Sequence, residues 1–166
     1  MIHISRAVVG QAELEAMARV MRQDGYLGMG REVRAFEEEL RAYLGGQERQ
    51  VICLNSGTAA LHLAVQAVTR PGDEVLVQSL TFVASFQAIS AAGAVPVACE
   101  VDPETVTLDL KDAAQRVTPY TRAVMPVHYA SNPGNLEAVY EFARHYSIRV
   151  IEDAAHAFGC TCQGKK

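Results

Sequence analysis

The sequence predicts an α/β protein with a mostly parallel sheet and helices on both faces. From Arg49 onward, short apolar and β-branched runs alternate with helical stretches. The apolar runs are continuous, which is typical of parallel strands that are buried on both faces. With 49% hydrophobic and 20% charged residues, the 166-residue chain has a globular composition, so a disordered or collagen-like protein is excluded.

The first 45 residues are predicted to form a helical segment, and residues 46–166 to form the α/β part. Apolar residues recur at helical spacing over residues 11–22 and 31–44. A glycine-broken loop, residues 25–30, separates these two helices. Core packing of their apolar faces is the role expected of both.

In the α/β part, five strands are expected to alternate with four helices. The strands are predicted at residues 51–54, 74–77, 95–99, 122–127 and 148–152. The helices are predicted at residues 58–69, 82–92, 110–117 and 135–145. Crossovers between parallel strands are right-handed, and ligands bind beyond the carboxyl ends of such strands. The residues that follow each strand are therefore the candidates for a site.

The first strand leads into Ser56, Gly57 and Thr58. Serine is a good N-cap, and glycine lets the backbone approach a ligand closely. Free N–H groups and the helix dipole at such a start favour a phosphate. An ordinary capped helix is the competing interpretation. Neither a G-x-G-x-x-G motif nor a Walker A motif is present.

Two further strand ends carry chemistry. Phe82 follows the second strand and is placed at the rim, where its ring can stack on a flat ligand; a core phenylalanine is the alternative. Asp153 follows the fifth strand, where a carboxylate needs a partner such as a protonated ring nitrogen. His156 can bond the same ligand. The alternative for this pair is an aspartate that caps the next turn beside a satisfied histidine. His128, after the fourth strand, is a secondary candidate.

Together, a phosphate cradle, an aromatic plate and an acid after a strand suit one planar, phosphorylated ligand with a ring nitrogen. Pyridoxal 5′-phosphate has these three features, and an acid at its ring nitrogen makes the ring a better electron sink. The sequence predicts no metal site, because no second Cys/His pair accompanies Cys160 and Cys162. All four cysteines are expected to be inert thiols in a reducing cytoplasm.

Other classes of partner are not expected. The net charge is −4 and the 15 basic residues are spread along the chain, which argues against nucleic-acid binding. No apolar run is long enough for a membrane span, and the N-terminal residues lack the features of a signal peptide.

Motifs along nearly the whole chain resemble those of the DegT/DnrJ/EryC1/StrS family of sugar aminotransferases. Each motif is modest alone, but their order and spacing together are specific. The matching stretches are residues 24–30 (DGYLGMG), Val33 with 36–37, 55–64 (NSGTAALHLA), 71–75 (PGDEV), 81–85 (TFVAS), 93–97 (GAVPV), 126–128 (PVH) and 152–159 (EDAAHAFG).

This resemblance implies part of the large domain of the pyridoxal-phosphate-dependent aspartate-aminotransferase fold. It also implies a transfer of an amino group, usually from glutamate, onto a nucleotide-linked keto-sugar, at a site on a homodimer interface. The resemblance implies that Ser56, Gly57 and Thr58 bind the cofactor phosphate. It implies that Phe82 stacks on the cofactor ring, that Asp153 pairs with the ring nitrogen and that His156 approaches the phenolic oxygen. The loop with Tyr26 and Leu27 is implied to bind the substrate. Many relatives have glutamine where this chain has His156.

One element of the family pattern is missing. The family's Schiff-base lysine follows a stretch similar to Gly164 and the two lysines after it, and the chain stops at Lys166. None of Lys111, Lys165 and Lys166 matches that nucleophile, so no catalytic residue is assigned and the 166 residues alone are expected to be inactive. Two alternatives remain open: a non-catalytic binding or regulatory module with this fold, and a sugar dehydratase that has histidine in place of the lysine.

Overall fold

The computed structural model describes residues 7–25, 27–46, 48–164 and 166. The chain divides into two compact units, Met1–Cys53 and Leu54–Lys166. The first contains α1 (Gln11–Arg19), which continues into a π-helical turn at Val20–Asp24, and α2 (Arg31–Tyr43). Both predicted helices are therefore present. Neither contains a buried residue, and the expected packing of Leu14, Met17 and Phe36 into a core is not found, since all three are more than half exposed.

The second unit alternates helices and strands in the order that the sequence predicts. Its elements are α3 (Gly57–Val68), β1 (Glu74–Gln78), α4 (Ala84–Ala91), β2 (Val95–Cys99), α5 (Leu110–Arg116), β3 (Thr121–Met125), α6 (Leu136–Tyr146) and β4 (Arg149–Val150). A short 3-10 turn, Tyr129–Ser131, follows β3.

The four strands form one sheet in the order β2-β1-β3-β4, and every pair is parallel. Alternate residues of β1 and β3 face opposite sides, as the pleat requires. Val75, Val77 and Met125 pack with residues of α3 and α4, such as Val65 and Ile89. Leu76, Cys99 and Val124 instead pack with α5 and α6. The predicted parallel sheet with helices on both faces is confirmed.

The predicted strand at residues 51–54 is wrong. In the part of the chain that the structure describes, these residues pair with no strand. Ile52 and Leu54 are 65% and 43% exposed. A run of β-branched and apolar residues favours a strand locally, but a strand exists only where a neighbour accepts its backbone hydrogen bonds. The last strand is also shorter than predicted, because only Ala123 and Val124 of β3 pair with it.

The topology places several helix starts and strand ends at one edge of the sheet. Parallel strands end at a common edge, and α4 follows the carboxyl end of β1 after a short turn. The helix α3 leads through residues 69–73 into the amino end of β1. Because α3 packs along the sheet, it runs from the carboxyl edge back to the amino edge, so Gly57 starts it at the carboxyl edge. Among the described residues, no helix combines the length and apolarity that crossing a membrane demands.

Candidate cofactor site

The carboxyl edge of the sheet fixes Asp153 through its backbone. The Asp153 N–H donates to the carbonyl of Pro126 at 3.0 Å, and the Asp153 carbonyl accepts from the N–H of His128 at 3.0 Å. These two bonds form a parallel bridge between Val127 and Asp153, which extends the sheet beyond β3 and β4. Asp153 is therefore held on the rigid sheet and not on a free loop.

The Asp153 carboxylate is almost completely buried, with 6% of the residue exposed. Its Oδ2 accepts a hydrogen bond from the Ser85 hydroxyl at 2.8 Å, and its Oδ1 accepts from the Ala155 N–H at 3.2 Å. The bond to Ala155 caps the next turn, as the alternative interpretation of Asp153 as a turn-capping residue predicts. Among the described residues, no basic side chain lies within ion-pair distance of this carboxylate. A carboxylate offers about four lone-pair positions, so acceptor capacity remains for a cationic ligand.

Phe82 lies on the turn that precedes α4, and its side chain faces solvent. The residue is 73% exposed, so the alternative of a core phenylalanine is wrong. Its carbonyl accepts the N–H of Ser85 at 3.2 Å, and Ser85 in turn contacts Asp153. Hydrogen bonds of Ser85 thus link Phe82 to Asp153, although these two residues are 71 positions apart in the sequence.

A buried amide orients the turn that carries Phe82. Gln78, at the end of β1, is fully buried, and its Nε2 donates to the Leu80 carbonyl at 2.9 Å. One residue further on, the Thr81 hydroxyl lies 2.7 Å from that of Ser85. The helix α4 begins at Ala84, two residues later than predicted, because these contacts hold residues 79–82 in a turn.

The start of α3 has an ordinary N-cap with open space beside it. The Ser56 hydroxyl accepts the N–H of Ala59 at 3.2 Å, which is an ordinary N-cap. The N–H groups of Gly57 and Thr58 lie in the first turn, where a helix offers them no acceptor. Ser56, Gly57 and Thr58, the predicted phosphate-binding residues, are all exposed. A Cβ built on Gly57 meets no atom within 4 Å, so the space beside this backbone is open to a ligand.

His156 lies against the turn at Tyr129–Ser131. Its Nδ1 accepts the N–H of Ala130 at 3.4 Å, and its carbonyl accepts the Ser131 hydroxyl. Ala130 and Ser131 both have positive φ, at 50° and 68°, a conformation that side chains rarely adopt. Because Nδ1 is an acceptor here, the neutral ring carries its proton on Nε2. His156 therefore offers an N–H donor at the carboxyl edge of the sheet.

His128 proves to be a packed histidine, as its secondary rank anticipated. It is buried, and its Nε2 lies 3.1 Å from Oε2 of Glu152. That contact lacks hydrogen-bond alignment, so it is a close approach and not a directed bond.

The predicted substrate residues belong to the other compact unit. Leu27 is 78% exposed. Tyr26 lies outside the described residues, so its predicted role stays a prediction.

Ser85 and Thr81 are site residues that the sequence analysis did not single out. Within the TFVAS stretch, Thr81 lies one position before Phe82 and Ser85 lies three positions after it. No local signal links Ser85 with Asp153, because the two are 68 positions apart.

A family model for DegT/DnrJ/EryC1/StrS aminotransferases matches residues 8–166. The chain belongs to this family. It is 42% identical over 165 residues to a dTDP-4-dehydro-2,3,6-trideoxy-D-glucose 4-aminotransferase of Saccharopolyspora spinosa. That alignment covers 99% of this chain and 43% of the relative, so the chain spans less than half the length of this curated relative.

Solved structures agree with the family assignment. The sugar aminotransferase CalS13 from Micromonospora echinospora superimposes with a TM-score of 0.88 and 32% identity, over 99% of this chain and 46% of that one. NtdA from Bacillus subtilis, solved with its cofactor PMP bound, gives a TM-score of 0.81 and 30% identity, over 94% and 36% of the two chains. The predicted aspartate-aminotransferase-like fold is thus confirmed.

Proposed function

We propose that this chain is the N-terminal part of a pyridoxal-phosphate-dependent aminotransferase that acts on a nucleotide-linked keto-sugar, with glutamate as the amino donor. The observation that carries the proposal is the buried Asp153 carboxylate, which has spare acceptor capacity. Ser85 links this carboxylate to the exposed Phe82 through hydrogen bonds to both residues. The relative from Saccharopolyspora spinosa, which acts on a dTDP-linked keto-sugar, supports the substrate class.

The residues present fit pyridoxal phosphate. When bound, the cofactor supplies an electron sink for chemistry at the amino carbon. Asp153 accepts a hydrogen bond from the protonated ring nitrogen, and its negative charge keeps that nitrogen protonated. Phe82 offers its exposed face to the ring. The first-turn N–H groups at Gly57 and Thr58, with the hydroxyls of Ser56 and Thr58, bind the phosphate.

His156 replaces the glutamine of many relatives without loss of the donor. Its Nδ1 is held by the N–H of Ala130, so Nε2–H is available to the phenolic oxygen of the cofactor. We propose that Tyr26 and Leu27 contact the substrate.

The Schiff-base lysine is proposed to lie downstream of Lys166. Lys111 does not fit the role, because it is exposed in the first turn of α5, on the segment that follows the strand β2.

We also propose a homodimer in the cytoplasm. The four free cysteines suit a reducing compartment, and light scattering of the complete protein measures the subunit number.

The proposal is tested in the complete protein that the gene encodes. Pyridoxal phosphate, ¹⁵N-labelled glutamate and a dTDP-linked 4-keto-sugar are added, and mass spectrometry measures ¹⁵N in the sugar. We expect transfer of the label in the wild type. Asp153→Asn lowers kcat about 100-fold or more, as expected for the loss of a preorganised charge. Lys111→Arg, which retains the charge on an exposed residue, serves as the control and leaves kcat unchanged.

Two outcomes contradict the proposal, and each corresponds to one alternative. A protein that binds the cofactor but releases a deoxy-sugar without consuming glutamate is a dehydratase. A protein that neither binds the cofactor nor transfers the label, with several nucleotide-linked keto-sugars tried, is a non-catalytic module.

A further inference from the structure

We infer that Ser85 is a positioning residue for Asp153 and that Thr81 orients it, so that a chain of two hydroxyls holds the charged carboxylate toward the ring nitrogen of the cofactor. The inference rests on the proposed function. It concerns residues that bind no part of the cofactor themselves and act through Asp153.

The contacts fix the direction of the hydrogen bonds. An ionised carboxylate only accepts, so the bond of 2.8 Å between Ser85 Oγ and Asp153 Oδ2 uses the single proton of Ser85. The contact of 2.7 Å between the hydroxyls of Thr81 and Ser85 must then be donated by Thr81. The two protons therefore point in one direction, from Thr81 through Ser85 to Asp153.

This arrangement acts on the charge of Asp153. A hydrogen bond donated to the charged form of an acid stabilises that form, and bonds to ionised groups are stronger than neutral ones. Ser85 has no measurable exposure and Asp153 only 6%, so water does not replace the hydroxyl when it is removed. Among the described residues, Ser85 is thus the side-chain donor to the carboxylate.

The same contact fixes where the carboxylate points. Oδ2 is held by Ser85 in the first turn of α4, and Oδ1 is held by the N–H of Ala155, two residues after Asp153. The two bonds restrain rotation of the carboxylate, which leaves its remaining lone pairs at a fixed angle to the sheet edge. Phe82 lies between Thr81 and Ser85 in the sequence, so one short segment, residues 81–85, presents the aromatic ring and orients the acid.

The test uses pyridoxamine 5′-phosphate labelled with ¹⁵N in its ring, which binds without a Schiff base, and the complete protein. Calorimetry gives the dissociation constant, and ¹⁵N NMR gives the pH at which the bound ring nitrogen loses its proton. For Ser85→Ala we expect the dissociation constant to rise about 10- to 100-fold, the effect of losing one bond to a charged group. The midpoint of ring deprotonation moves to lower pH, because a carboxylate that can rotate away from the ring nitrogen stabilises its proton less.

Matched variants separate positioning from folding. Ser85→Thr retains the hydroxyl and restores the midpoint. Thr81→Val removes the outer hydroxyl at nearly constant volume and shifts the midpoint in the same direction by less. Ser90→Ala makes the same substitution on the exposed side of α4 and changes neither quantity. If Ser85→Ala does not fold, the shift in Thr81→Val decides the question.

The outcomes distinguish this inference from the proposed function. A wild type that binds the labelled probe, together with Ser85→Ala and Thr81→Val proteins whose ring midpoint equals that of the wild type, overturns the role of Ser85 alone. Such variants with a lowered melting temperature but an unchanged midpoint show a merely structural contact. A wild type that does not bind the probe overturns both proposals.

Discussion

At the scale of single residues, Asp153 and Asp112 differ in whether a neighbouring cation neutralises them. Asp153 and Asp112 are both aspartates that accept backbone N–H bonds, but Asp112 lies beside Arg116 and Asp153 has only neutral donors in the described chain. The carboxylate without a cation is the one at the carboxyl edge of the sheet. A ligand that carries a positive charge would therefore complete its environment, whereas Asp112 is already satisfied.

Cys99 and Cys160 give a test of burial at this scale. Burial, with a smaller contribution from the nearby Asp112, raises the pKa of the Cys99 thiol to about 11, while Cys160 is exposed. The thiolate is the reactive form, so at pH 8 we expect Ellman's reagent to modify Cys160 rapidly and Cys99 only after denaturation. Mass spectrometry of tryptic peptides locates the label, and Cys160→Ser lowers the amplitude of the rapid phase. Rapid labelling of Cys99 in the native protein would contradict this account.

At the scale of elements, two glycines that look alike in the sequence have different roles. Gly134 has φ of +60°, and a Cβ there would lie 2.6 Å from Oγ1 of Thr107, so the close approach of two loops requires glycine. Gly57 begins α3 with open space beside it. Nothing in the described chain requires glycine at Gly57, which leaves room for a ligand as the reason.

Substitution of these two glycines by alanine should separate stability from binding. For Gly134→Ala we expect a loss of about 2–4 kcal/mol in the free energy of unfolding, from the left-handed conformation and the clash with Thr107. For Gly57→Ala we expect a change within about 1 kcal/mol, since alanine favours the helix.

Binding of pyridoxamine 5′-phosphate should show the opposite order. The methyl group in Gly57→Ala occupies the space by which a phosphate reaches the first-turn N–H groups, so its dissociation constant rises at least about tenfold, or ~1.4 kcal/mol. Urea unfolding and calorimetry measure the two quantities. Unaltered affinity in Gly57→Ala would remove α3 from the phosphate site.

At the scale of the whole molecule, carboxylates that cap turns link folding to pH. The pKa of Asp102 is lowered by the N–H groups of Thr105 and Glu104 that its carboxylate accepts. The pKa of Asp112 is lowered by Arg116 and by the N–H of Glu100. In both cases the unfolded chain binds the proton more tightly than the folded one. Their stabilisation is therefore complete above the unfolded value, about 3.9, and is lost as the pH falls toward the folded values.

Acid unfolding of the chain should reflect the lowered pKa values of Asp102 and Asp112. We expect these two groups to leave the urea midpoint unaffected between pH 7 and 5 and to lower it below about pH 4. The double variant Asp102→Asn/Asp112→Asn should lose less of its own stability over that lower range than the wild type does. Equal losses in the two proteins would show that other carboxylates govern acid unfolding.

The sequence determined the elements whose signals are local. The alternation of apolar strands with helices predicted β1, β2, β3 and the four helices around them, since periodicity and capping residues act over a few positions. It also indicated Ser56, Gly57, Phe82 and Asp153 as candidates, because ligands of parallel sheets lie beyond the strand ends.

Only the tertiary structure decided what depends on partners far apart in the chain. Residues 51–54 have the composition of a strand, but no described segment pairs with them. The bond between Ser85 and Asp153 joins residues 68 positions apart, and the exposure of Phe82 follows from packing that its neighbours in the sequence do not specify. Pairing and burial are properties of the folded chain, and no local pattern of residues contains them.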